Sequence, residues 1–292
     1  MISKYSVRLV LLMMVFGLGA KMVSAEIPKH VNVKLVADVS EVEPGGIFKL
    51  GAYFEIDPHW HIYWKNPGDS GLPTTIDYTA SGGVTIDNIK WPVPKTFSRA
   101  GEIVDFGYEE NVMIISDVTV TDDAKPGTEV HIRGQVKWLS CEEICIPGAK
   151  EVQLSIKVSK ESRAANTDLF NRWKKLLPLS VNSPESPFDI EFGGITKKGD
   201  ELNTILTLTA KAGVEIQDLY IVPEHNLVIQ SITLKKDGGG GKTTISVDAE
   251  MLADYDGPNG IETLLAYGDE NGKRAGVELL IPIVEVNKER HK

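Results

Sequence analysis

Hydrophobic and polar residues alternate along most of the first half of the chain. The alternation is clear in residues 31–35, 48–56, 130–138 and 152–158, and turn-forming Pro-Gly and Gly-Gly pairs separate these runs. A period of two is typical of strands with one buried face, and short strands at this spacing favour an antiparallel sandwich. We therefore predict a β-sandwich over residues 26–160.

The pattern changes to a helical one between residues 162 and 178. One helical face carries apolar side chains, namely Leu169, Phe170, Trp173, Leu176 and Leu177. Asn166 or Thr167 is a suitable cap at the start, and Pro178 ends the helix. With the serine- and proline-rich stretch that follows, this segment predicts a connector over residues 161–187.

Alternation resumes after this connector, in residues 188–192 and 244–249. The pattern predicts a second β-sandwich over residues 188–292. The expected fold class is all-β, with two antiparallel β-sandwich domains joined by a short helix.

The first 25 residues have the pattern of an export signal. Lys4 and Arg8 precede an apolar run from Leu9 to Ala20, and Val23-Ser24-Ala25 offers small residues for cleavage. The apolar run is too short for a membrane-spanning helix, which needs about 20 residues. We expect a signal peptide over residues 1–25, and a mature protein that is exported without stable membrane insertion.

The net charge excludes two classes of partner. Lys4, Arg8 and Lys21 leave with the signal peptide, so the formal charge changes from −10 to −13, with 28 basic against 41 acidic side chains. Nucleic acid and anionic lipid surfaces do not attract a protein of this charge. No nucleic-acid partner is expected.

Cys141 and Cys145 are the only cysteines of the chain and stand in the run W-L-S-C-E-E-I-C-I-P-G, at the tip of a predicted hairpin. Exported cysteines meet an oxidising compartment. Closing so small a loop removes little chain entropy, so a disulfide here adds little stability. Thiol–disulfide exchange needs one thiol to form a mixed disulfide and a second to release it. The pair supplies both, which indicates a redox couple.

Two alternatives for the cysteine pair stay open. The first is a structural disulfide in a non-enzymatic binding module. The second is a metal site, since His59 and His61 form an H-x-H pair with strand-like spacing. Two thiolates and two imidazoles would suit copper or zinc. In the redox interpretation no cofactor is expected.

Three motifs occur in an order that carries a family resemblance: P-H-W-H-I-Y-W-K-N-P-G-D-S-G-L-P at 58–73, D-F-G-Y-E at 105–109, and W-L-S-C-E-E-I-C-I-P-G at 138–148. Together they resemble the periplasmic N-terminal domain of the DsbD family of thiol:disulfide interchange proteins. They are most similar to its ScsB-like branch, which is linked to copper tolerance. The resemblance covers residues 28–160, and we expect it to extend to the end of the chain.

The resemblance implies a fold, a site and partners. The implied fold is immunoglobulin-like, and Cys141 and Cys145 become the redox pair, with Cys145 forming the mixed disulfide. Asp105, Phe106 and Tyr108 fall where the family shields its cysteines with an aromatic cap. The implied partners are a membrane-embedded thiol transporter and periplasmic thioredoxin-fold oxidoreductases. The protein would then be a component of a protein-disulfide reductase in the periplasm.

Two features of the sequence depart from the family pattern. The cysteines are separated by three residues, a shorter spacing than in the best-known members, and no Cys-x-x-Cys motif is present. Without that motif, we expect either that electrons come from a thiol transporter on a separate chain or that the relay role has been lost.

Overall fold

Two β-sandwiches make up the molecule, as predicted for the all-β class. The computed structural model describes residues 30–81, 83–98, 103–222, 226–237, 241–252, 258–268 and 272–283. The predicted signal peptide lies outside the described residues.

In the part of the chain that the structure describes, the first sandwich contains twelve strands. They are β1 (Val31–Ala37), β2 (Val39–Val42), β3 (Ile47–Ile56), β4 (His61–Gly68), β5 (Thr75–Ala80), β6 (Val84–Lys90), β7 (Lys95–Ser98), β8 (Val104–Glu109), β9 (Asn111–Val120), β10 (Glu129–Cys141), β11 (Cys145–Val158) and β12 (Arg163–Ala164). One sheet has the order β1-β3-β9-β6. The other has the order β12-β2-β11-β10-β4-β8-β7, with β5 paired to β10.

A short helix, α1 (Thr167–Lys174), follows the first sandwich and buries Phe170 and Trp173 against its core. It is shorter than the helical pattern suggests, because β12 takes up the start of the predicted segment and pairs with β2. Asn166 precedes the helix as expected, but its side-chain amide donates to the carbonyl of Ala37 and makes no cap hydrogen bond. Within the described residues, nothing helical is long and apolar enough to cross a bilayer.

The second sandwich follows the helix. Its strands are β13 (Leu179–Ser180), β14 (Phe188–Lys198), β15 (Glu201–Ala210), β16 (Glu215–Ile221), β17 (Leu227–Lys236), β18 (Lys242–Met251), β19 (Gly260–Gly268) and β20 (Arg274–Pro282). They form two four-stranded sheets with the orders β13-β20-β19-β16 and β14-β15-β18-β17. The domain boundaries drawn from the sequence stay predictions.

The alternation read from the sequence corresponds to burial. Along β10, Val130, Ile132, Gly134, Val136 and Trp138 are buried, and the residues that alternate with them are exposed. Because side chains of a strand point to opposite faces in turn, this pattern places one face of β10 on the core and the other face outside. The pairing of β10 with β11 runs unbroken from Glu129 and Lys157 to the two cysteines.

Candidate functional site

The candidate site lies at the tip of the β10–β11 hairpin. Cys141 ends β10 and Cys145 begins β11, and the two are cross-strand partners whose Cα atoms are 4.2 Å apart. Their sulfurs form a disulfide that spans four residues of sequence. The hairpin predicted from the sequence is therefore present, with the cysteines facing each other across its end.

The two cysteines differ in their surroundings. Cys141 is fully buried, whereas Cys145 is exposed. The tip between them is also exposed, including Glu142, Glu143 and Ile144, and the Ile144 side chain is 65% exposed. An incoming thiolate from another protein therefore meets Cys145 first.

Strand β4 brings two side chains to the buried cysteine. Cys141 is paired with His61, and the Tyr63 hydroxyl donates a hydrogen bond to Cys141 Sγ at 3.3 Å. Since residues directly opposite on antiparallel strands point to the same side, His61, Tyr63 and Cys141 share one face of the sheet. The opposite face of β4 carries Ile62 and Trp64 into the core.

A loop after β4 covers the ring of Tyr63, which is fully buried. A Cβ added to Gly71 would lie 2.3 Å from Cζ of this ring, and Gly71 has φ +82, so only glycine fits there. Asp105, which is also fully buried, accepts hydrogen bonds from the backbone N–H and the hydroxyl of Ser70, at 3.1 and 2.7 Å. Asp105 therefore fixes the loop that covers Tyr63.

The other predicted shielding residues point elsewhere. Phe106 and Tyr108 alternate with Asp105 and Gly107 on β8, and Gly107 is paired with Tyr63. The register thus places the rings of Phe106 and Tyr108 on the face of the sheet opposite to Cys141. The Tyr108 hydroxyl donates to the carbonyl of Pro92 at 2.7 Å, and burial raises the pKa of Tyr108 well above its ordinary value.

Phe97, in the hairpin of β7 and β8, lies on the same face of the sheet as Cys141. It lies on β7, is paired with Asp105, and stacks on His61 with ring centroids 4.6 Å apart. The shielding role of Asp105, Phe106 and Tyr108 stays a prediction. Sequence reasoning missed both Phe97 and Tyr63, because only the strand register shows which side chains share a face with the cysteine.

The two histidines considered as metal ligands do not share a strand. His61 is buried within β4, whereas His59 is exposed in the preceding turn with φ +73. The two histidines were expected to lie along one strand. This prediction is wrong, since the turn separates His59 from β4. In the ranges that the structure describes, no three His, Cys, Asp or Glu side chains are grouped to hold a metal ion.

Comparisons with known proteins identify the first sandwich. Residues 31–157 match the family model described as "Thiol:disulfide interchange protein DsbD, N-terminal". This part of the chain is a DsbD-family N-terminal domain, with the immunoglobulin-like fold that the resemblance implied. No curated protein matches the chain.

Among solved structures, the chain is similar to the N-terminal periplasmic domain of ScsB from Proteus mirabilis. The identity is 20%, the TM-score is 0.56, and the match covers 88% of this chain and 95% of that one. The Yersinia pseudotuberculosis adhesin InvE also matches, at 11% identity and a TM-score of 0.21, over 86% of this chain and 58% of that one. The likeness to ScsB shows that both sandwiches share its fold.

Proposed function

We propose that this protein is a periplasmic thiol–disulfide interchange module. It would relay electrons between a membrane-embedded thiol transporter and periplasmic thioredoxin-fold oxidoreductases through Cys141 and Cys145. The observation that carries the proposal is the asymmetry of the pair, with Cys145 exposed and Cys141 buried against the Tyr63 hydroxyl. The family match over residues 31–157 supports the chemistry, and the similarity to the N-terminal periplasmic domain of ScsB supports the compartment.

The exchange step follows from this asymmetry. A thiolate of the reducing partner attacks Cys145 Sγ and forms an intermolecular disulfide, while the bond between Cys145 and Cys141 breaks. Cys141 leaves as a thiolate that accepts the hydrogen bond of Tyr63. A second thiolate of the partner then attacks the partner's other sulfur, which is bound to Cys145 in the mixed disulfide, and releases Cys145. The partner is oxidised to a disulfide, and the cysteine pair is reduced to two thiolates, which become thiols by taking up protons from water.

Capture of the mixed disulfide tests the proposal. In a Cys141→Ala variant, Cys145 has no resolving thiol. We would mix it with a thioredoxin-fold oxidoreductase that retains one active-site cysteine, activated as a thionitrobenzoate adduct. Attack by Cys145 should release coloured thionitrobenzoate and leave a stable covalent complex, visible on a non-reducing gel.

The matched control is Cys145→Ala, which leaves only the buried cysteine. Its capture rate should be lower by roughly tenfold or more, because access to Cys141 requires local opening of the structure. If neither single-cysteine variant captures the oxidoreductase, the protein is not an exchange module.

The reduction potential separates an exchange couple from a structural disulfide. An exchange couple should have a potential between about −180 and −270 mV, whereas a permanent bond lies below roughly −300 mV. The measurement is an equilibrium titration in glutathione and dithiothreitol buffers, followed by alkylation. A potential below roughly −300 mV would favour the binding module with a structural disulfide.

A further inference from the structure

The second sandwich inserts a tyrosine into the core of the first. Tyr220, on β16, is 1% exposed and belongs to the hydrophobic cluster of the first sandwich. Its ring makes edge contacts with Phe106 and Trp64, with centroids 4.7 and 5.8 Å apart. The face of β8 and β4 opposite to the cysteines therefore packs on the second sandwich.

Strand β19 contributes side chains to the cores of both sandwiches. Leu264 and Ala266 are buried in the cluster of the first sandwich, whereas Leu265 and Tyr267 are buried in that of the second. Alternate side chains of one strand thus fill two cores. Gly276 on the neighbouring strand allows close approach, since an added Cβ would lie 2.5 Å from Val93 Cγ2.

Polar contacts connect the same tyrosine to strand β7. The Tyr220 hydroxyl shares a hydrogen bond with Thr96 Oγ1 at 2.8 Å, and it accepts a hydrogen bond from the guanidinium of Arg274. Arg274 also donates to the carbonyl of Pro94 at 3.3 Å and pairs with Asp218 at 2.8 Å. Burial raises the pKa of Tyr220 to about 12, so its hydroxyl is neutral at physiological pH.

Thr96 and Phe97 are neighbours on β7, so their side chains point to opposite faces. Thr96 meets the second sandwich, and Phe97 stacks on His61, which is the cross-strand partner of Cys141. His61 in turn makes an edge contact with Tyr63, with centroids 5.4 Å apart. One short strand therefore links Tyr220 to the aromatic layer beside the buried sulfur.

We propose that Tyr220 and Arg274 are positioning residues that hold β7 in place, so that Phe97, His61 and Tyr63 keep Cys141 closed to solvent. The second sandwich would thus direct exchange to Cys145. The inference rests on the proposed function, since the choice between two sulfurs matters only if they exchange with a partner.

Differential alkylation of the reduced full-length chain tests this positioning. Brief labelling with light N-ethylmaleimide, then denaturation and heavy reagent, gives the labelled fraction at each cysteine by fragment-ion mass spectrometry. Tyr220→Phe and Thr96→Val each remove one end of the hydrogen bond. Each should raise labelling of Cys141 relative to Cys145 by roughly two- to tenfold, the effect of one buried hydrogen bond on a local opening equilibrium.

The combined variant and a control make the test specific. Tyr220→Phe with Thr96→Val should raise the ratio less than the product of the single effects, because both changes remove the same contact. Tyr267→Phe removes a hydroxyl from the core of the second sandwich itself and should leave the ratio unchanged. General destabilisation would also raise labelling of the buried Cys141 relative to the exposed Cys145, and the Tyr267→Phe control detects such an effect.

The positioning role is wrong if both single variants keep the wild-type labelling ratio while Cys145 still captures the oxidoreductase. If the ratio rises as expected but no variant captures the oxidoreductase, the positioning stands and the proposed relay is wrong. The two failures are therefore distinguishable within the same set of proteins.

Discussion

A single hydroxyl group lies on the buried sulfur of the cysteine pair. The Tyr63 hydroxyl is 3.3 Å from Cys141 Sγ, and its ring is held by the loop that contains Gly71. Sulfur in a disulfide is a weak acceptor, whereas a thiolate accepts a hydrogen bond strongly. The hydroxyl therefore stabilises the thiolate that Cys141 forms on reduction more than it stabilises the disulfide.

We predict that Tyr63→Phe makes the pair harder to reduce. Losing the hydrogen bond destabilises the reduced form, which should lower the reduction potential by roughly 10–30 mV. The measurement is the glutathione equilibrium of the variant beside the wild type. Tyr53→Phe, on β3 of the opposite sheet, serves as the control and should not change the potential. An unchanged potential in Tyr63→Phe would show that the hydroxyl does not distinguish the two redox states.

At the scale of the element, the β10–β11 hairpin depends on one close contact just below its tip. Trp138 is paired with Gly148, and a Cβ added to Gly148 would lie 2.3 Å from the Trp138 ring. Trp138 is buried and makes an edge contact with Phe54 in the core, with centroids 6.4 Å apart. The glycine thus lets the tryptophan lie flat across the partner strand and anchor the end of the hairpin.

Gly148→Ala should therefore reduce the free energy of unfolding by about 1–3 kcal/mol, the usual cost of overpacking. Gly134→Ala is the matched control on the same hairpin, because there an added Cβ would be 3.3 Å from its nearest neighbours. Denaturant unfolding of both variants measures the difference. Equal losses in the two variants would mean that the contact with Trp138 is not what constrains position 148.

The strands show which features of the fold the sequence could and could not predict. The alternation in β10 predicted its buried and exposed faces, because each follows from local periodicity alone. Two runs without alternation, 61–64 in β4 and 260–268 in β19, mark strands that are covered on both faces. One carries the site and the other joins the sandwiches. The lack of alternation therefore indicated that both faces are covered. The segments that cover them could not be inferred, since pairing between distant segments sets the register.

For the whole molecule, the contact between the sandwiches includes a partly buried acid. Glu278 on β20 interacts electrostatically with side chains of both sandwiches, namely Lys65, Lys90, Tyr108 and Glu262. Burial raises the pKa of Glu278, with a further contribution from Glu262, while the two lysines oppose the shift. Lys65 is itself ion-paired with Glu262 across the contact. The carboxylate of Glu278 is therefore less stable in the folded protein than in the unfolded chain.

The raised pKa of Glu278 makes the stability of the protein depend on pH. The favourable contribution of Glu278 to the free energy of unfolding is complete below its ordinary pKa, and it is lost as the pH rises through the folded-state pKa. Glu278→Gln has no charge to desolvate, so it should raise Tm at pH 7 by roughly 1–3 °C and have little effect near pH 4. Glu201→Gln, an exposed position on β15, changes the net charge equally and is the control. Thermal unfolding at the two pH values measures the effect, and an equal gain at both would show that desolvation of this carboxylate is not its cause.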